Sequence, residues 1–302
     1  MTLTPAPRPV PRPTRIGPLT FRWGERTFVM GILNVTPDSF SGDGLLAGDG
    51  ARTGDGVSDA VARARHMVAE GADLLDIGGE STRPGHEPVS ESDEVARVVP
   101  VVTAVRAALP STPISIDTTK PEVAEAALNA GADLLNNVWG TAPSNAMATV
   151  AAAHGVPLVV MHNRPAAHYT DLVHEVIADL QAAVARAIDA GVPASNIIID
   201  PGIGFGKTAD HNVTLLRELG AFRSLGHPIL LGTSRKSTLG RILDLPADER
   251  LEATLATTAL GIAAGVDIVR VHDVQANVRA ARVSDAIIRG TWRADESQGG
   301  TR

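Results

Sequence analysis

Apolar positions along the chain fall into short runs separated by longer, alanine-rich stretches. The runs at 28–33, 74–77, 114–116, 134–135, 158–161, 197–199, 229–231 and 268–271 are nearly continuous in apolar residues, as expected for strands covered on both faces. Between them, stretches such as 57–70, 91–108, 121–130, 171–190 and 251–264 read as helices. Three helices end on a common signal, with Gly71, Gly131 and Gly265 each followed by a small or β-branched residue and then Asp73, Asp133 or Asp267. Glycine there serves as a C-terminal cap before the chain turns into the next strand. Eight strand–helix units imply parallel strands closed on themselves, an α/β protein of the (β/α)8 TIM-barrel class. An open doubly wound sheet is the alternative, but no Gly-x-Gly-x-x-Gly turn follows the first strand. Ahead of the barrel, 19–23 and 26–30 flank Gly24-Glu25 and predict an N-terminal β-hairpin at the bottom of the barrel.

The ends of the chain have a different character. Residues 1–18 hold six prolines and three arginines with no acid, and predict a disordered or polyproline-II tail. Residues 293–302 read the same way, which leaves 19–292 as the barrel domain. Only 3% of residues are aromatic, so the core must be aliphatic. That suits barrel layers and argues against a stacking platform for single-stranded nucleic acid. A formal net charge of −7 likewise argues against a nucleic-acid or anionic-membrane partner. The chain has no cysteine, which excludes disulfides, thiolate catalysis and Cys-ligated zinc, and fits a cytoplasmic location. No apolar run approaches the roughly 18 residues needed to cross a bilayer, and the amino terminus shows no secretory pattern.

In a barrel of this kind the chemistry belongs at the carboxyl ends of the strands. Those positions hold Asn34, Asp76, Asp117, Asn136 with Asn137, His162, Asp200, Ser234 with Arg235 and Lys236, and Arg270 with His272. One such aspartate reads as a helix cap; repeated around eight strands, they read as a polar ring for a polar, anionic ligand. The glycine-rich 202–208 is not a Walker A loop, because Pro201 stands where its first glycine is required. His154, His162, His168 and His174 form no His-Glu-x-x-His pair, so a zinc site is not supported, and His66 and His211 read as surface or helix-end residues. Two connections, 36–56 with its six glycines and 80–88 with Arg83 between Thr82 and Pro84, are expected over the barrel mouth.

Several of these segments together resemble dihydropteroate synthases, a family of pterin-binding TIM barrels. The residues concerned are Gly31-Ile32-Leu33-Asn34-Val35-Thr36-Pro37-Asp38-Ser39-Phe40-Ser41 and Asp76-Ile77-Gly78-Gly79-Glu80-Ser81-Thr82-Arg83-Pro84-Gly85. Further matches are Ser115-Ile116-Asp117-Thr118, Asp200-Pro201-Gly202-Ile203-Gly204-Phe205-Gly206-Lys207, Ser234-Arg235-Lys236-Ser237 and Arg270-Val271-His272-Asp273. They follow in order on successive strands, over roughly residues 28–290.

The resemblance implies a transferase of folate biosynthesis, assisted by Mg2+, homodimeric and cytoplasmic. It would condense 6-hydroxymethyl-7,8-dihydropterin diphosphate with 4-aminobenzoate. By the same resemblance, Asp200 takes the pyrimidine edge of the pterin, Asn136 and Asp117 complete that pocket, and Lys236 donates to ring acceptors. Arg270, Val271 and His272, with Thr82 and Arg83, would meet the leaving diphosphate, and Asn34 would offer its amide oxygen to Mg2+. Phe205, Ser237 and Lys236, joined by Phe40 and Pro84, would hold the aminobenzoate. Of these, Lys236, Arg270, His272 and Arg83 are the expected catalytic residues. Asp76 and His162 join the ring without a role.

Three departures from the family pattern stand out. Asn137 replaces the more common Asp, Asn163-Arg164 stands where a Met is common, and Gly42-Asp43-Gly44 displaces the loop aspartate, Asp43, that would help hold Mg2+. A pterin-binding methyltransferase, using a methylated folate and a corrinoid partner, would share the pterin carboxylates without needing Ser237, Lys236 or two ordered loops. A non-catalytic pterin-binding protein would not need to keep Arg270, His272 and Lys236, all of which are present.

Overall fold

Alternation along the strands determines what the barrel contains. In the computed structural model, which describes residues 10–35, 54–80 and 89–292, the first barrel strand is β3 (Phe28–Asn34). A hairpin of β1 (Thr14–Ile16) and β2 (Leu19–Phe21) precedes it. Then follow α1 (Gly54–Ala69), β4 (Leu74–Gly78), α2 (Glu91–Ala108), β5 (Ile114–Asp117), α3 (Pro121–Asn129), β6 (Leu134–Asn137), α4 (Ala146–His154) and β7 (Leu158–Met161). The remainder is α5 (Leu172–Asp189), β8 (Ile197–Asp200), α6 (Ala209–Arg217), β9 (Leu230–Leu231), α7 (Ser237–Leu243), α8 (Leu251–Ala264), β10 (Ile268–Val271) and α9 (Val274–Ile288). The eight strands β3–β10 pair in parallel, β10 beside β3, and a parallel bridge from Ile199 to Ile229 joins the two ends of the sheet. The predicted TIM barrel is therefore the observed one.

Side chains one residue apart on a strand face opposite sides. The outward set, including Leu33, Leu75, Ile77, Ile116, Leu135 and Val160, forms one core cluster with the helices. The inward set starts apolar: Phe28, Met30, Leu74, Leu134, Val159, Ile198, Leu230 and Ile268 form a second cluster at the amino-terminal end. Ile16, Phe21 and Trp23 of the hairpin segment join that cluster, so the hairpin plugs the bottom of the barrel as expected.

Its position in the chain differs from the expectation. The turn lies at Gly17-Pro18, with Gly17 at φ +54, and β1 falls inside the stretch read as a tail. The second arm expected of the hairpin belongs instead to β3. Proline richness hid β1, but Ile16 is fully buried and Thr14 Oγ1 is tied in, accepting from Trp23 Nε1 at 2.9 Å and donating to the Ser195 carbonyl at 2.6 Å. Residues 1–9 and 293–302 lie outside the described residues.

The recurring Gly-x-Asp endings have two parts. Gly71, Gly131 and Gly265 hold φ of +104, +115 and +99, as the capping role requires. The aspartates turn back to a neighbouring strand: Asp73 accepts the Val29 N–H at 2.8 Å, Asp133 the Ile114 N–H at 2.9 Å and Asp267 the Ile229 N–H at 3.0 Å. Each thus satisfies a backbone donor at the barrel's bottom. Helix α1 begins at Gly54, three residues earlier than expected; the first N–H groups of a helix need no intrahelical partner, so a glycine-rich start is tolerated. Among the described residues, no helix is long and apolar enough to cross a membrane.

Candidate functional site

Halfway up the barrel the inward positions change from apolar to polar. Above Leu74 comes Asp76, above Leu134 comes Asn136, above Ile198 comes Asp200, and above Ile268 comes Arg270. Asp117 ends β5 on the same side, two residues above Ser115. Asp76, Ser115, Asp117, Asn136 and Asp200 are all buried.

Arg270 links this layer. Its Nε donates to Asp76 Oδ2 at 2.6 Å and its Nη2 to Asp117 Oδ2 at 2.8 Å, while Asn136 Nδ2 donates to the same Asp76 oxygen at 3.0 Å. Asp76, without a role from the sequence, is thus the acceptor that orients both Arg270 and Asn136. The other oxygens, Asp76 Oδ1 and Asp117 Oδ1, and the Ser115 hydroxyl are buried without a hydrogen-bond partner. Orphaned buried polar atoms are costly, so this cluster is built to receive donors from a ligand. Burial raises Asp117 to about 7, opposed by Arg270 and reinforced by Asp76. Burial alone would lower Arg270, but Asp76 and Asp117 outweigh it and hold the guanidinium above its ordinary range.

Asp200 lies across the layer, buried, with Oδ1 accepting the Gly202 N–H at 2.7 Å. Burial raises its pKa, and Lys236 opposes the shift. Lys236 is lowered to about 8 by burial, with Asp200 pulling the other way. Its Nζ donates to the Ile203 carbonyl and stands 4.4 Å from the centre of the Phe205 ring. Lys236, Asp200 and Phe205 are thereby gathered at one side of the mouth. Ser237 follows at the start of α7 and is exposed. His272 Nδ1 is 2.9 Å from Ser234 Oγ, which also accepts the His272 N–H at 3.1 Å.

Val271 is not brought to the site. Its side chain belongs to the outward cluster, because Arg270 before it takes the inward position, so only its backbone can face a ligand there. Phe40, Asp43, Thr82, Arg83 and Pro84 lie outside the described residues. His162 is also displaced from the expected ring. Its ring is fully buried on the outer side of β7, with Nε2 3.1 Å from Asp179 Oδ2 on α5 and Nδ1 2.8 Å from Lys207 Nζ. Burial and the neighbouring Lys207 charge lower its pKa to about 4. Neutral imidazole with its proton on Nε2 satisfies both neighbours.

Two departures from the family pattern fall behind the site. Asn137 points outward and accepts the Trp139 N–H at 3.1 Å, beside Met147, Ala148 and Ala183. Arg164 turns to α5, donating to Asp179 at 2.8 Å and Glu175 at 2.7 Å and stacking 4.7 Å from the Tyr169 ring centre. Ser115 carries no motif signal of its own, and its alternation with Asp117 is what marks it as inward-facing.

At the mouth, Gly78 pairs with both Asn34 and Asp117. A Cβ on Gly78 would lie 3.6 Å from Asp117 Cβ and 3.7 Å from Asn34 Oδ1, ordinary contact distances, so the glycine sits directly between these two oxygen-bearing side chains. Among the described residues no group of three or more His, Cys, Asp or Glu could cage a metal. The chemistry of a single amide oxygen, that of Asn34, is still compatible with Mg2+, which commonly keeps water and substrate phosphate as most of its ligands.

A barrel lined at mid-height with carboxylates, an amide and two cations defines a class, the pterin binding enzymes, and the model of that family matches residues 30–272. The dihydropteroate synthases of Clostridium beijerinckii and Bacillus subtilis are each 49% identical, covering 91% and 90% of this chain and 99% and 92% of their own. A solved dihydropteroate synthase from Clostridium difficile, in the presence of pteroic acid, superposes with a TM-score of 0.83 at 46% identity, covering 89% of this chain and 99% of that one. The chain belongs to the dihydropteroate synthase family.

Proposed function

We infer that the chain condenses 6-hydroxymethyl-7,8-dihydropterin diphosphate with 4-aminobenzoate to give 7,8-dihydropteroate and diphosphate, a transferase step of folate biosynthesis. The observation that carries this reading is the buried polar layer at mid-barrel, where oxygens of Asp76 and Asp117 have no hydrogen-bond partner. A pterin offers adjacent N–H donors on its pyrimidine edge. A carboxylate can accept two of them at once, and such charge-assisted bonds are stronger and more directional than neutral ones. Asp200 takes that edge, Asn136 and Asp117 complete the pocket, and Lys236 donates to ring acceptors. Arg270, already fixed by Asp76 and Asp117, joins the pterin layer to the diphosphate side, where His272, Thr82, Arg83 and the Val271 backbone meet the leaving group.

The bond that breaks is between the pterin methylene carbon and the diphosphate oxygen, which keeps the electron pair. Positive charge then spreads from the methylene into the pterin ring. The arylamine nitrogen attacks that carbon and afterwards loses a proton. Such a path needs stabilisation of the departing anion and exclusion of water more than it needs a strong base, so no dedicated base is assigned. Phe205, Ser237 and the Lys236 stem hold the aminobenzoate, with Phe40 and Pro84 from the two loops. Asn34 would hold Mg2+, which when bound neutralises charge on the diphosphate. We also propose a homodimer and a cytoplasmic location from the family resemblance. Leu260 on α8 with Val283 and Ile287 on α9, each more than 60% exposed, supports a partner surface on those helices.

The reading is tested by Asp200→Ala. Removing one partner of a buried charged set costs about 3–5 kcal/mol, or about two to four decades in affinity. Calorimetric affinity for the pterin diphosphate should fall by that amount in the variant, and near-normal binding would overturn the assignment.

A further inference from the structure

The connection between Asp200 and α6 brings the Ile203 carbonyl and the Phe205 ring to Lys236, while the Ile203 side chain packs into the outer core and the connection is fastened to the loop after β7. Lys207 Nζ donates to the Gly202 carbonyl at 3.0 Å, to the Phe205 carbonyl at 3.0 Å and to His162 Nδ1 at 2.8 Å. The His162 carbonyl is a fourth, longer acceptor at 3.5 Å, and the His162 ring is itself oriented by Asp179, which also takes Arg164. Tyr169 Oη donates to the Gly206 carbonyl at 2.8 Å from the same side. The backbones lie too close for any side chain between them: a Cβ on Gly202 would stand 1.9 Å from the His162 carbonyl oxygen, and one on Gly206 2.3 Å from that of Arg164. None of these fastening groups takes part in the chemistry proposed above.

We propose that Lys207, braced by His162 and Asp179 and assisted by Tyr169, is a positioning residue that sets the aminobenzoate end of the site by fixing Phe205 and the Ile203 carbonyl. The inference rests on the dihydropteroate synthase reading. The Ile203 carbonyl is the acceptor for Lys236 Nζ, and the Phe205 ring lies beneath that ammonium. Releasing the Phe205 and Gly202 carbonyls therefore moves the ring and the Lys236 anchor together. Asp200 keeps its own bond to the Gly202 N–H, and Gly204 its bond to Asn212 Oδ1 at 2.8 Å, so the pterin layer loses no hydrogen bond; it loses only the Lys207 charge that favours the Asp200 carboxylate.

The test is steady-state kinetics of Lys207→Met and Tyr169→Phe with each substrate varied. Loss of the ammonium is expected to raise the KM for 4-aminobenzoate about 10-fold or more, the scale of one hydrogen bond to a charged group. kcat should stay within about 3-fold and the pterin diphosphate Kd should change less than the aminobenzoate KM, because only the Lys207 charge, and no hydrogen bond, is lost from the Asp200 side. Tyr169→Phe, which removes one bond from a half-buried residue, should shift the same KM in the same direction by about 2–3-fold. A merely structural role would lower the active fraction and leave the aminobenzoate KM alone. An unchanged aminobenzoate KM in both variants, or a change spread equally over both substrates, overturns the proposal. If Lys207→Met does not fold, the KM of Tyr169→Phe decides. Wild-type protein that forms no product would instead sink the reading on which the proposal rests.

Discussion

Lys236 connects three parts of the site, since it faces Asp200, covers Phe205 and donates to the Ile203 carbonyl. Burial places its pKa at about 8, so the ammonium proposed to donate to the pterin is present below that pH and lost above it. kcat/KM for the pterin diphosphate, which reports the free enzyme, should therefore decline as pH rises through about 8. The stability effect has the opposite sign. Between about 8 and the unfolded lysine value the unfolded chain binds more protons, so this group's contribution to stability rises with pH while activity falls. Lys236→Gln should lower the rate and flatten the limb; an unchanged limb in that variant would assign it elsewhere. At this scale the sequence tells which polar residues stand at the strand ends and is silent about how they pair. Asp117, Asn136, Asp200 and Arg270 fall where strand counting puts them. Asp76 acquires its role only because Arg270, 194 residues away in the chain, reaches it across the barrel. His162 ends a strand as the others do, yet it faces outward, because the residue after an inward Met161 takes the other side.

Among the elements, the aspartates before β4, β6 and β10 act as acceptors for the neighbouring strand rather than as active-site groups. Asp267 is fully buried and accepts the Ile229 N–H, next to the bridge that closes the barrel. Asp267→Ala should lower unfolding free energy by about 1–3 kcal/mol, the cost of stranding a buried donor. Urea denaturation measures this, and unchanged stability would show that the donor finds another acceptor. Substrate KM values should not move, since the residue lies at the opposite end of the barrel from the site. Strand positions were legible because a strand covered on both faces must be apolar throughout, and five helices were legible from their composition and caps. The hairpin was not placed correctly. Three-residue strands carry too few positions for a period-two signal, and what holds β1 is long-range: Trp23 and Ser195 on Thr14, and the barrel floor on Ile16.

For the molecule as a whole, one division organises the fold and the chemistry. The lower half of the barrel is filled by aliphatic side chains and sealed by Phe21, Trp23 and Phe28, whose ring centres lie 4.5 to 5.6 Å apart. The upper half is a layer of buried charge. The lower half excludes water from beneath, so the charged layer above works in a medium where each electrostatic contact counts for more. Family membership, the closed barrel and the placement of Asp200, Lys236 and Arg270 all point to pterin transfer to an arylamine. The most direct measurement is incubation of the purified chain with 6-hydroxymethyl-7,8-dihydropterin diphosphate, 4-aminobenzoate and Mg2+, followed by mass analysis. A product with the mass of 7,8-dihydropteroate, formed only when both substrates are present, is the predicted result; binding of the pterin diphosphate with no such product would contradict the account.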